Sequence, residues 1–147
     1  ISAAFALEQI KKLKKNINTR EKNFKKLYNF FKKLNYFFEL PQQNRHLKTA
    51  WLAFPLLIKN QSKLTRKKLQ IFLEQNGIQT RTIFTGNILR QPIMQKKKYK
   101  KFNKKFYNSD NVMKNGLLIG CHHGLSPKEI NYMIKKFNTF LNRFKKF

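Results

Sequence analysis

Apolar residues at Ala6, Ile10, Leu13, Ile17, Phe24, Leu27, Tyr28, Phe31 and Leu34 recur at the three-and-four spacing of one helical face. They predict a helix from Ser2 to about Asn35, with lysine pairs on the opposite face. A helix of that length is expected to bend or break between Asn16 and Thr19, or to bridge two bodies. Pro41 closes the region, and the polar stretch QQNRHLK leads into an apolar run, Thr49 to Ile58, that reads as a buried strand. Pro55 argues against a fully paired central position for it. A second helix follows, with Thr65 as its cap, Leu69, Phe72 and Leu73 as its buried face and Gly77 as its stop.

Beyond Gly77, IQTRTIF predicts a strand and TGNILRQP a loop, because Gly86 and Asn87 tolerate turn geometry and Pro92 lacks an amide proton. Gln95 to Tyr107 shows no clear period. Asn108 or Ser109 is expected to cap a short helix through Lys114, and a third strand is expected around Gly116 to Cys121. Ser126, Pro127 and Glu129 form a capping-box start with Pro at the first helical position. Ile130, Ile134, Phe137, Leu141 and Phe144 line one face of the helix that follows. The order of elements fits an α+β fold, a short mixed or antiparallel sheet flanked by helices.

The 147 residues allow one hydrophobic core. Because the first residues already read as helix interior, the chain is expected to be cut from something longer. Its net charge of +27, from 33 basic and 6 acidic residues, raises the question of a polyanion partner. Only six of the basic residues are Arg, however, and Lys, Asn, Ile, Phe and Tyr, all abundant here, share A/T-rich codons. Base composition therefore accounts for much of the charge. The one dense run is Lys96 to Lys105, where Tyr99 and Phe102 interleave with lysines, a spacing that suits stacking on bases as in single-strand binders and equally an irregular segment pinned to the core by its aromatics. A lone cysteine, Cys121, permits no internal disulfide and suits a reducing cytoplasm, and no apolar run is long enough to span a bilayer.

Six acids leave little for acid–base chemistry. Glu8, Glu21, Glu74 and Glu129 read as helix surface or cap, leaving Glu39 and Asp110. Paired-carboxylate hydrolysis is excluded on that ground. Cys121, His122 and His123 are adjacent and would point to alternating faces, which opposes a metal site. His122 and His123 lie where a strand gives way to a helix, in reach of a phosphate or hydroxyl, although a histidine bonding the loop backbone is the more ordinary role. Arg81, Asn87, Arg90 and Gln91 cluster at a strand end and loop with forked donors and amides suited to phosphate and sugar hydroxyls. The alternative is that the arginines only hold the loop.

Three segments in order, ISAAFALEQIKKL, GIQTRTIFTGNILRQPIM and GLLIGCHHGLSPKEINYMIKKF, resemble the C-terminal landmarks of the DegT/DnrJ/StrS family of pyridoxal-phosphate sugar aminotransferases and dehydratases. The resemblance covers essentially the whole chain. It implies the small C-terminal domain of a fold-type I enzyme, with residues 1–35 as a helix linking to an absent large domain and residues 36–147 as the small domain. The G-N-x-x-R-Q-P pattern at Gly86 to Pro92 resembles most the branch that removes the 3-hydroxyl of a nucleotide-linked 4-keto-6-deoxyhexose in dideoxysugar or O-antigen synthesis. The family's catalytic base is a Schiff-base lysine in the aminotransferases and a histidine in the dehydratases, and neither position falls in this chain. The resemblance thus implies pyridoxal or pyridoxamine phosphate in the parent enzyme, with none held stably here. It also implies a nucleotide-linked deoxysugar as partner, a homodimer for the parent, and no catalytic residue in this chain. Arg81, Asn87, Arg90, Gln91, His122 and His123 are the substrate-side candidates. A basic nucleic-acid-binding module and an inactive gene remnant are the rival readings.

Overall fold

The computed structural model describes residues 1–97 and 105–144. Helix α1, Ser2–Lys32, runs unbroken for 31 residues. The break expected between Asn16 and Thr19 is absent: the segment contains neither Pro nor Gly to interrupt the helix. The Thr19 hydroxyl donates back to the Lys15 carbonyl at 3.0 Å without interrupting the helix. Everything before Asn16 is exposed, and full burial begins only with Asn23, Leu27 and Phe31. The helix stops at Lys32 rather than Asn35, and turns closed by the amides of Leu34 and Phe37 carry the chain into strand β1, Phe38–Glu39. Two residues are too few to announce themselves by alternation, so the sequence pattern gave no sign of this strand.

Strand β2 spans Ala53–Ile58, β3 spans Thr80–Arg81 and β4 spans Gly116–Gly120. They form one sheet in the order β1-β2-β4-β3, antiparallel at every pairing. Of the two sheet types expected, the antiparallel one is present. Pro55 stands opposite Leu118 in β4, while β1 reaches only Leu57 and Ile58 on the other side. That edge of β2 has no partner strand at Pro55, which is where a residue without an amide proton is tolerated.

Helix α2, Arg66–Gln75, is capped as expected by Thr65, whose hydroxyl accepts from the Lys68 amide at 3.4 Å. It ends at Gly77, φ +70, with the Gly77 amide on the Glu74 carbonyl and the Ile78 amide on the Leu73 carbonyl, the pairing of a Schellman motif. The strand expected over IQTRTIF shrinks to Thr80 and Arg81. Glu74 accepts from both the amide and the hydroxyl of Thr80, and a tight turn takes over at Ile83. A short 3-10 turn, Ile88–Arg90, leads into α3, Pro92–Gln95. Helix α4, Tyr107–Asn115, begins ahead of Asn108 and Ser109, so neither is its cap; Phe106 holds that position and makes no side-chain bond there. Helix α5, Pro127–Leu141, opens on the predicted capping box of Ser126 and Glu129.

The core lies between the sheet and α1, α2 and α5. Phe54, Leu56 and Ile58 of β2 and Leu117 and Ile119 of β4 are buried against Leu27 and Phe31 of α1, Leu69 and Leu73 of α2, and Ile130, Phe137 and Leu141 of α5. Phe31 is its hub. The Phe31 ring lies 4.9 Å from Phe137 edge to face and 5.4 Å from both Phe38 and Phe54. Such pairs add about 0.5–1.5 kcal/mol each beyond the area they bury.

Candidate functional site

The segment from Thr82 to Gln91 is held by its own polar groups and by Asp110 of α4. Gly86, φ +67, sits so tightly on Met113 of α4 that a Cβ there would overlap the Met113 Cα and Cβ. Only glycine fits both the angle and the contact. The next residue, Asn87, is 5 % exposed. Its Oδ1 accepts from the Leu89 amide at 3.0 Å, and its Nδ2 donates to Asp110 Oδ1 at 2.8 Å. Arg90 grips the same carboxylate with two prongs, Nε to Oδ1 at 3.0 Å and Nη2 to Oδ2 at 2.9 Å. These bonds, from Arg90 first and Asn87 second, hold the Asp110 carboxyl down at about 2. Gln91 Nε2 closes the segment on the Thr85 carbonyl at 3.1 Å. The G-N-x-x-R-Q-P pattern is thus a self-bracing loop clamped to α4. Asp110, the clamp's acceptor, carried no motif; the only hint was that it stood among the few acids without a helical role.

The two histidines part company. His123 Nδ1 faces the Arg20 guanidinium of α1, accepting from Nε at 3.2 Å with Nη2 at 3.1 Å. His122 Nδ1 accepts from the Gly124 amide at 3.2 Å. An accepting Nδ1 leaves the proton on Nε2, so the outer nitrogen of His122 is a donor. The turn between them and α5 is tied down by Asn23, 6 % exposed, whose Nδ2 donates to the carbonyls of His122 at 3.0 Å and Leu125 at 3.1 Å. Sequence periodicity passed over Asn23 because a polar residue on a core face carries no repeat. Cys121 is fully buried, donates to the Trp51 carbonyl at 3.4 Å, and has its thiol pushed up to about 12 by burial, which makes it an inert core residue.

His122 and Arg81 share a groove of about 640 Å³ at the β3 edge of the sheet, below α5. Thr82, Phe84, Gln79, Glu129 and Tyr132 also line it. Arg81 stands opposite Leu118 at the end of β3, and among the described residues its guanidinium has no hydrogen-bond or ion-pair partner. Glu129 is spent on the cap. It accepts from the Ser126 amide at 2.7 Å, and bonds to the Ser126 amide and hydroxyl lower its carboxyl below the ordinary range. Tyr132 donates to the Asn76 carbonyl at 3.1 Å. The groove therefore offers one uncommitted guanidinium and one imidazole donor over an apolar floor. That set can bind and orient an anion with hydroxyls beside it. Among the described residues no lysine lines the groove and its one carboxylate is already bonded, so it supplies neither a Schiff-base amine nor a free acid. Most of the Lys96 to Lys105 run, with Tyr99 and Phe102, lies outside the described residues. No described helix is long and apolar enough to cross a membrane.

Residues 1–138 match the model of the DegT/DnrJ/EryC1/StrS aminotransferase family. The chain is 31% identical over 140 residues to the lipopolysaccharide biosynthesis protein RfbH of Salmonella typhimurium, covering 95% of this chain and 32% of that protein. It is 33% identical over 133 residues to GDP-4-keto-6-deoxy-D-mannose 3-dehydratase of Escherichia coli O55:H7, covering 90% and 34%. The crystal structure of E. coli GDP-4-keto-6-deoxy-D-mannose-3-dehydratase with bound hydrated PLP superposes with a TM-score of 0.81 at 31% identity, over 92% of this chain and 34% of that one. The chain spans about a third of the length of these relatives. With the groove, the braced loop and the antiparallel sheet all falling inside the matched span, the chain belongs to the DegT/DnrJ/EryC1/StrS aminotransferase family.

Proposed function

We propose that this chain is the substrate-side small domain of a pyridoxal-phosphate-dependent enzyme acting on a nucleotide-linked deoxysugar in O-antigen or dideoxysugar synthesis. Relatives named as 3-dehydratases favour 3-dehydration over amino transfer. In this reading residues 1–35 link to the large domain and residues 36–147 form one wall of a cleft in a homodimer. The large domain supplies cofactor and base. The observation that carries the proposal is Arg81, whose guanidinium has no partner among the described residues, in a groove that His122 also lines. Arg81 takes the diphosphate, for which a planar fork of donors is suited. His122 donates to a sugar hydroxyl. Asn87, Arg90 and Gln91 act one step back by fixing the loop, and His123 acts through Arg20 on α1.

The test is a titration of the isotopically labelled chain with GDP-mannose followed by amide shifts. Shifts are expected at Arg81, Thr82 and His122, and Arg81→Ala should weaken binding roughly tenfold or more, the scale of a lost charge-assisted hydrogen bond. Amides that stay still around the groove at millimolar ligand would sink the proposal. The chain should also form no stoichiometric coloured complex with pyridoxal phosphate after gel filtration.

A further inference from the structure

Phe84 is the least ordinary side chain of the groove. It is 90 % exposed, yet its backbone is held at φ +45, a left-handed conformation that penalises any residue with a Cβ. It occupies the first central position of the turn closed by the Gly86 amide on the Ile83 carbonyl at 3.1 Å, a place where glycine would cost less. Nor is the turn loose. The Thr82 hydroxyl donates to the Phe84 carbonyl at 3.3 Å, Gln91 bonds Thr85, and Asn87 and Arg90 clamp the loop to Asp110. A rigid frame thus holds a strained residue so that a large apolar ring faces water, and neither the strain nor the exposure helps the fold.

Three residues away on the same wall is Arg81. An aromatic face and an open guanidinium, separated by a short span of chain, match the two chemistries of a nucleoside diphosphate, a flat base and a charged diphosphate. A sugar alone would need neither. We infer that Phe84 is the stacking platform for the base of the nucleotide, with Arg81 on its diphosphate. The assignment rests on the reading of the groove given above and adds which part of the ligand lies where.

Two variants and two probes test it. GDP should bind Phe84→Gly about tenfold more weakly than the parent chain, while inorganic pyrophosphate, which has no base, should bind both equally. The same variant should melt no lower than the parent, since glycine relieves the backbone, so weaker binding cannot be put down to damage. In Phe84→Trp, GDP should quench the added indole fluorescence beyond any change seen from Trp51 in the parent. Equal GDP affinity in Phe84→Gly, with amide shifts at Arg81 still present, would overturn the stacking role and leave the groove reading standing. If neither GDP nor pyrophosphate moves the groove amides, the groove reading fails and the stacking role with it.

Discussion

Asp110 accepts three hydrogen bonds from two side chains of the 82–91 loop, and without it Asn87 and Arg90 would lose their common acceptor. Its carboxyl sits at about 2 in the folded chain, against an ordinary value near 3.8. A carboxyl depressed by folding contributes stability that is fully present above the unfolded value and is lost as pH falls through the folded one. The loop clamp should therefore hold above about pH 4 and fail towards pH 2. Asp110→Asn should lower the denaturation midpoint at pH 7, and the gap from the parent should close as the pH is lowered to about 2. A gap that stays constant across that range would mean that the ion pair contributes nothing. At this scale the sequence was half legible. Asn87, Arg90 and Gln91 stand out in the sequence as forked donors and amides, but the partner of Asn87 and Arg90 is an acid twenty or more positions on, and no local rule connects them.

At the scale of elements, α1 is two helices in energetic terms. Its second half buries Leu27 and Phe31 completely, while Ile10 and Leu13 of the first half remain exposed although the three-and-four spacing runs through them. Leu27→Ala should cost about 2–5 kcal/mol and Leu13→Ala less than about 0.5 kcal/mol in equilibrium unfolding of this chain. Similar costs at the two sites would show that the first half is covered in solution. Elements with strong local chemistry were legible from sequence: the Thr65 and Gly77 ends of α2, the capping box of α5 and the run of β2. The helix of α1 and the strand at β4 were legible too, from apolar spacing, whereas β1, the short β3 and the start of α4 are made by tertiary contact. Strand β1 exists because Phe38 and Glu39 pair with β2, and β3 stops short because the strained turn at Phe84 follows. The start of α4 has no side-chain cap for a sequence rule to find.

For the molecule as a whole, the net charge of +27 meets little internal compensation. Glu8 and Asp110 are the acids that form ion pairs with basic side chains among the described residues. Self-repulsion should then weaken the folded state at low salt. Raising salt from ~0.01 M to ~0.15 M shortens the screening length from about 30 to about 8 Å. The melting temperature should climb over that range, by about 2–4 °C for each kcal/mol of repulsion removed. A flat response would show that the lysines are dispersed widely enough to ignore one another.

The strand order also sets a timetable for the chain as it is made. Neither β2 nor β3 pairs with the other; each pairs with β4, which is synthesised after both. Until Gly116–Gly120 has left the ribosome, Phe54 and Leu56 have no neighbour on that side and Arg81 has no strand to lie against. The sheet is thus completed late and from its middle, through contacts far apart in sequence, which are the slow kind. A nascent chain halted before Gly116 would expose the apolar run of β2 as an open edge, the form most prone to wrong pairing.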